Sequence, residues 1–233
     1  MAHRYAIYFA PAVGGALETF GAHILGVDAS TGQEIQLFTG IVEQFPNWRL
    51  LVQQPARYGF HATLKAPFEL ACRYGERDLL IDVEHATEKM KSVDLGVLRV
   101  ARICRFAALV ARQPSASLFE FAGDIVRRFD HFRSPSSEHD RERRNPQKLT
   151  ERQRTYLDRW GYPFVFDEFR FHMTLTGPVP EQQLGVVRHL LETAFRTHVP
   201  QWDSSFSIDQ ICVFKQQDRD SRFRLIARYA LGA

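Results

Sequence analysis

Two short segments of the chain each place an imidazole and a hydroxyl two residues apart, His61-Ala62-Thr63 and His172-Met173-Thr174. Both sit in a wider frame, Phe-His-x-Thr-Leu-x-x-Pro, which starts at Phe60 and again at Phe171, and the two histidines are 111 residues apart. Identity at five of eight positions does not by itself separate a repeat from coincidence, but the strand pattern adds weight. Successive side chains of a strand point to opposite faces. Phe60, Ala62, Leu64 and Ala66 therefore fall on one face, with His61, Thr63 and Lys65 on the other. In the second segment Phe169, Phe171, Met173 and Leu175 pack inward, while Arg170, His172, Thr174 and Thr176 share the opposite face. Each strand thus has an apolar face and a face able to do chemistry.

That chemistry suits a phosphodiester. Its hydrolysis needs a base for the attacking oxygen, an acid for the leaving oxygen and donors for the phosphoryl oxygens. Imidazole titrates near neutrality, so one histidine can serve as base and the other, protonated, as acid, with Thr63 and Thr174 donating to the nonbridging oxygens. No metal or other cofactor is called for. The remaining histidines (His3, His23, His85, His131, His139, His189 and His198) show no ligand spacing such as His-x-x-x-His. Around the quartet, Lys65 and Arg170 are candidate substrate contacts, each two residues from a histidine on the same strand face. Tyr58 and Tyr8 are candidate walls for a sugar or base, although core packing is the simpler reading of Tyr58. Arg222, Arg224 and Arg228 share a face of the last strand-like run and are either cleft-lining or solvent-facing.

The elements that must position these residues alternate between strand and helix. Arg4 to Ala10 reads as a strand with Tyr5, Ile7 and Phe9 on one side, and Leu17 to Leu25 as a helix. Tyr58 to Phe68 reads as a strand, Glu76 to Lys91 as a helix, Leu95 to Ala111 as two strands parted near Cys104, and Leu118 to Phe132 as a helix. His131 to Asn145 is polar and reads as a long surface loop, followed by a basic helix from Thr150 to Trp160 with Arg152, Arg154 and Arg159. Residues 131–160 are therefore read as an insertion able to fold over a cleft as a lid. A strand from Val165 to Thr176, a helix from Pro180 to Thr197, and strands from Ser204 to Phe214 and Arg222 to Tyr229 complete the pattern.

With 45% hydrophobic and 24% charged residues among 233, the chain has the composition of a globular protein and not of a disordered one. It contains no apolar run long enough to span a membrane and opens on strand-like sequence, so a cytoplasmic location is expected. Cys72, Cys104 and Cys212 are scattered among apolar segments and read as buried thiols, not as a disulfide framework or zinc site. The net charge of +3 is mild, and the segment from Arg127 to Trp160, with ten Lys/Arg against six Asp/Glu, accounts for all of it. A small anionic substrate fits this better than a long polyanion. No obligate protein partner is evident.

The two motifs resemble those of the 2H phosphoesterases, a family named for paired His-x-Thr/Ser motifs. The resemblance implies an α+β fold over residues 1–233, a single bilobal domain with pseudo-twofold symmetry, two mainly antiparallel sheets with flanking helices, and a cleft between the lobes. It implies His61, Thr63, His172 and Thr174 as the catalytic quartet. The phrases Arg57-Tyr58-Gly59-Phe60-His61-Ala62-Thr63-Leu64-Lys65 and Asp167-Glu168-Phe169-Arg170-Phe171-His172-Met173-Thr174-Leu175-Thr176-Gly177 look like a branch encoded beside phosphonate-degradation genes. The expectation is a metal-independent enzyme that hydrolyses a cyclic phosphodiester of a small ribose derivative or nucleotide. Two alternatives stand beside it: an RNA 2′,5′-ligase or RNA-end cyclic phosphodiesterase, with RNA the less favoured partner, and a non-catalytic nucleotide- or phosphate-binding protein.

Overall fold

Whether the two motif strands meet depends on how the sheet is ordered. The computed structural model describes residues 3–232. Its strands are β1 (Arg4–Phe9), β2 (Ala62–Glu69), β3 (Val93–Ile103), β4 (Phe106–Ala111), β5 (His172–Thr174), β6 (Ser205–Ile208), β7 (Gln210–Gln216) and β8 (Arg224–Ala230). They form one eight-stranded sheet in the order β6-β3-β4-β5-β2-β1-β7-β8, and every neighbouring pair is antiparallel.

The expected α+β architecture is present, with one difference in detail. Two four-stranded halves, β6-β3-β4-β5 and β2-β1-β7-β8, are joined at the centre through a single registered pair, Ala62 with Met173. The two sheets foreseen from the sequence are therefore continuous. The order reads the same from either end: each half has its motif strand innermost, and β1 and β4 flank β2 and β5 in turn.

The helices are α1 (Ala16–Leu25), α2 (Thr39–Gln44), α3 (Trp48–Val52), α4 (Glu76–Thr87), α5 (Ala116–Arg128), α6 (Glu138–Glu142), α7 (Glu151–Trp160) and α8 (Leu184–His198). Amphipathic spacing explains the four long ones that build the core. Leu17, Phe20 and Ile24 of α1, Leu79 and Val83 of α4, Leu118 and Ile125 of α5, and Val187 and Leu191 of α8 recur at helical intervals and are all buried. They share the main core with Tyr5, Ile7 and Phe9 of β1, Ala62 and Leu64 of β2, and Met173 of β5. The other face of β1 carries a smaller cluster, Ala6, Tyr8 and Ala10 with Cys212, Phe214 and Phe223.

Several boundaries differ from those read in the sequence. The strand expected over residues 165–176 is only three residues long, because Phe166–Glu168 forms a 3₁₀ turn with Phe166 at φ +55°. The strand expected from Ser204 to Phe214 divides at Asp209 into β6 and β7. Residues 39–52, between the first helix and the first motif strand, hold two short helices. The second of these buries Trp48, whose indole N–H donates to the Ile24 carbonyl at 2.9 Å. Of the thiols expected to be buried only Cys212 is; Cys72 follows β2 in a turn, and Cys104 occupies the β3–β4 turn with φ +51°. Among the described residues, no helix is long and apolar enough to cross a membrane.

Candidate active site

The β2–β5 contact brings the motifs together. In an antiparallel pair, directly opposed residues project to the same face. With Ala62 opposite Met173, one step either way sets His61 across from Thr174 and Thr63 across from His172. Ala62 and Met173 are buried in the core, and the four polar side chains occupy the opposite face. Each histidine therefore has a hydroxyl from its own strand and one from the other strand as neighbours.

Both imidazoles are tethered in the same way. His61 Nδ1 donates to the Gly59 carbonyl at 2.9 Å and His172 Nδ1 to the Arg170 carbonyl at 2.8 Å, in each case two residues back along the chain. An N–H committed to a carbonyl fixes the neutral ring with its proton on Nδ1, which leaves Nε2 to take or give a proton. His61 Nε2 lies 3.2 Å from Thr63 Oγ1. Gly59 can present its carbonyl because it adopts φ +72°, where a Cβ would come within 2.6 Å of Ala29. The next residue, Phe60, lies against Gly21 of α1, where an added Cβ would fall 2.0 Å from the phenyl ring. The start of β2 is thereby clamped to the helix layer.

The surroundings of the two rings differ. Tyr8, registered opposite Thr63, stacks on His61 with ring centroids 3.8 Å apart and 21° between planes. His172 has Phe106 of β4 at 5.9 Å, tilted by 51°. Burial lowers the pKa of His61 to about 4; the Gly59 carbonyl opposes the shift and the nearby His172 adds to it. Burial also lowers His172, against the effect of the Arg170 carbonyl. Both rings are accordingly neutral at pH 7 in the unliganded protein.

A cavity of about 370 Å³ opens over this face, lined by His61, Thr63 and Thr174 together with Tyr8 and Tyr58. His172 lies beside it without lining it. Tyr58 stands before β2 begins, so strand parity does not govern it; its ring stacks on Phe223 at 5.2 Å and faces the cavity.

Lys65 is not on this face. The β1–β2 register shifts between Tyr8–Thr63 and Ile7–Lys65, and this bulge turns Lys65 inward, where its ammonium donates to Asp130 at 2.9 Å. The lysine is 3% exposed, too enclosed to reach a ligand in the cavity. Thr176, the equivalent position of the second frame, is also buried, and its hydroxyl accepts the Ala107 N–H at 3.0 Å. Arg170 is exposed, and among the described residues its side chain has no partner and does not line the cavity. Arg228 donates to the Ala10 and Pro11 carbonyls and Arg222 to the Gly32 carbonyl and Glu34, so both support loops.

Residues 133–144 form one wall of the cavity, with Arg133, Ser134, Ser137, Asp140, Arg143 and Arg144 on its surface. This wall is pinned: Ser134 N–H donates to the Glu69 carbonyl at 2.8 Å, Arg141 pairs with Asp158 at 2.8 Å, and Arg219 grips Asp140 at 2.7 and 2.9 Å. The basic helix contributes only Trp160. Its arginines are engaged elsewhere: Arg152 with Asp167, Arg154 with the Leu149 carbonyl, and Arg159 over the Trp160 ring. Arg4, Arg143, Arg144 and Tyr162 line the cavity and were not singled out in the sequence. Arg4 shares strand parity with Tyr8 and could have been found that way; nothing local distinguishes Arg143 and Arg144 from their charged neighbours.

Among the described residues, no group of three His, Cys, Asp or Glu side chains is placed to hold a metal ion. The chain is similar to two curated proteins named ribose 1,5-bisphosphate phosphokinase PhnN. It is 33% identical over 186 residues to that of Janthinobacterium sp. (79% of this chain, 41% of that one) and 31% identical over 185 residues to that of Laribacter hongkongensis (76% and 41%). The chain thus spans about two fifths of the length of these relatives. Among solved structures, it aligns with E. coli LigT complexed with ATP at 12% identity and a TM-score of 0.47, over 100% of this chain and 99% of that one. A family model described as "Protein of unknown function (DUF1045)" matches residues 63–224, which is more than half of the sequence and includes the second motif, and the chain belongs to that family.

Proposed function

We propose that the protein is a two-histidine phosphoesterase of the 2H type, which opens a cyclic phosphodiester on a small ribose derivative or nucleotide without a metal. The observation that carries this reading is the mirrored tether: two imidazoles, each held through Nδ1 by the carbonyl two residues upstream, with their motif hydroxyls interleaved across one strand pair. One Nε2 takes a proton from water as the water oxygen bonds to phosphorus. The other, protonated, delivers its proton to the ribose oxygen as the P–O bond of the ring breaks. Thr63 and Thr174 donate to the nonbridging oxygens, where charge builds. Both rings are neutral when the site is empty, and a bound phosphate anion supplies the opposite charge that favours protonation of one of them.

A cavity of about 370 Å³ falls in the size range of small-molecule sites, which favours a sugar phosphate or mononucleotide over an RNA strand. The relatives are named for a phosphorylated ribose, in keeping with a ribose-based substrate here; a place in phosphonate metabolism rests on the resemblance of the two motif phrases. The 233 residues contain no GxxxxGK(S/T) loop, and we read the shared region as a part of those longer proteins distinct from nucleotide-dependent phosphoryl transfer. Arg170 is retained as an outer contact to the substrate. The test is ³¹P NMR of ring opening in EDTA on a panel of ribose and nucleotide cyclic phosphates. Turnover by the parent that is lost in His61→Ala and in His172→Ala supports the reading. Binding without turnover by the parent points to a binding protein, and turnover that requires metal and survives both substitutions overturns the mechanism.

A further inference from the structure

The cavity holds more positive charge than a single phosphodiester needs. Of the arginines on its walls, Arg133 is bonded to Asp130 at 2.9 Å, and the two acids, Glu69 and Asp140, are taken up by Arg219. Arg219 grips Asp140 firmly enough to hold its pKa at about 2. Three guanidinium groups are left without a carboxylate. Arg143 is exposed and, among the described residues, its side chain makes no hydrogen bond or ion pair. Arg144 lies over the Tyr162 ring at 4.8 Å. Arg4 is the most telling: it is 9% exposed, donates to the neutral amide of Gln216 at 2.8 Å and lies over the Phe223 ring at 5.4 Å, with no carboxylate bonded to it among the described residues. A guanidinium withdrawn from water against a neutral amide is costly unless an anion completes it.

These arginines surround a second polar feature. Tyr8 is 1% exposed, lines the cavity, and among the described residues its hydroxyl has no hydrogen-bond partner. Its ring stacks on His61, and its hydroxyl is within electrostatic reach of Arg4, Arg144, Tyr58 and Tyr162. Arg4, Arg143 and Arg144 line the same cavity as His61, Thr63 and Thr174, and among the described residues none of the three is hydrogen-bonded to a residue of the quartet.

We infer that Arg4, Arg143 and Arg144, with the Tyr8 and Tyr162 hydroxyls, form a second anion subsite, so that the preferred substrate is a cyclic phosphodiester bearing a separate phosphate monoester on the same sugar or nucleoside. This rests on the proposed phosphoesterase reading for the reaction, but the subsite is a binding property and can be tested without turnover. Guanidinium groups suit a phosphate monoester, whose three terminal oxygens accept several charge-assisted hydrogen bonds at once.

The experiment is isothermal titration calorimetry in EDTA at fixed ionic strength, with 3′-AMP and adenosine 3′,5′-bisphosphate as probes. The parent is expected to bind the bisphosphate about tenfold or more tightly than the monophosphate. In the Arg143→Ala/Arg144→Ala protein, whose fold is checked by its thermal transition, that ratio should fall to about one. In Arg152→Ala, which removes a charge outside the cavity, the ratio should persist. A second variant, Arg4→Gln, should also lower the ratio. A parent ratio near one, or a ratio that survives both the double substitution and Arg4→Gln, overturns the subsite. If the ratio holds while no cyclic phosphate is opened, the phosphoesterase reading falls and the subsite stands. If cyclic phosphates with and without the extra monoester are opened with equal kcat/KM, the subsite falls and the phosphoesterase reading stands.

Discussion

The His61 and His172 sides of the site share a motif and a tether, yet they are built differently around them. His61 lies two residues after a glycine at φ +72°, is stacked against Tyr8 and immediately precedes an eight-residue strand. His172 lies two residues after Arg170 and opens a three-residue strand, with the Phe106 ring tilted beside it at 5.9 Å. What the two sides hold in common is the Nδ1 bond and the cross-strand hydroxyl, the features that acid–base exchange at Nε2 requires. What differs is enclosure, which sets how readily each ring accepts charge. A paired site can thus be symmetric in geometry and asymmetric in electrostatics.

Removing either histidine should have the largest effect. His61→Ala and His172→Ala are each expected to lower kcat by about 10²- to 10⁴-fold, the range for loss of a positioned general acid or base. The double variant should be little worse than either single one, because acid and base act in one step. Steady-state assays on the best substrate of the panel check this, and a variant within tenfold of the parent would show that its side of the pair is dispensable.

The hydroxyls come next. Thr63→Val and Thr174→Val are each expected to cost about 10- to 100-fold in kcat, somewhat less than the loss of an oxyanion donor in an enclosed site. Thr63 should be the more sensitive, since its hydroxyl also lies 3.2 Å from His61 Nε2. Equal losses in the two variants would remove this distinction between the sides.

A third contrast concerns the two positions that the sequence frame aligns but the structure withdraws from the cavity, Lys65 and Thr176. Lys65→Met is expected to leave KM close to that of the parent and to lower stability by on the order of 2 kcal/mol, as for a buried charge-assisted bond. Asp130 keeps Arg133 as a partner, which limits the loss. Denaturant unfolding and substrate titration together separate the outcomes. A rise in KM with stability intact would return Lys65 to the substrate.

These positions also show how far the sequence could be read. The apolar alternation of Phe60, Ala62 and Leu64 fixes which face His61 and Thr63 occupy, and Tyr5, Ile7 and Phe9 fall on one face of β1 as the alternation required. Parity failed at Lys65, because a bulge adds a residue to β2 and leaves no mark in residue type. It failed at Tyr58 because the strand begins only at Ala62. The insertion was visible as polar sequence, but its role as a pinned wall depends on partners distant in the chain: Arg219 for Asp140 and the Glu69 carbonyl for Ser134. Long-range pairings of this kind leave no local periodicity, so Arg143 and Arg144 could not be told apart from Arg152 and Arg154 before the fold was known.

The finest test of the asymmetry is the titration of the two rings. Burial lowers both from the ordinary value of 6.5, His61 to about 4. In histidine-detected NMR of the free protein, the His61 ring should titrate near 4 and the His172 ring below 6.5, with assignments taken from the two alanine variants. Inorganic phosphate should move at least one of them upward, because an adjacent anion favours the imidazolium. The same shift links to stability. Between about 4 and 6.5 the unfolded chain binds the proton that folded His61 refuses, so the His61 contribution is intact above pH 6.5 and is lost as pH falls toward 4. His61→Phe retains an aromatic ring against Tyr8 and removes the titration; its unfolding free energy should decline less than that of the parent over this interval. Parallel declines would mean that the His61 ring titrates near its ordinary value, and the stronger suppression of charge assigned to the His61 side would be refuted.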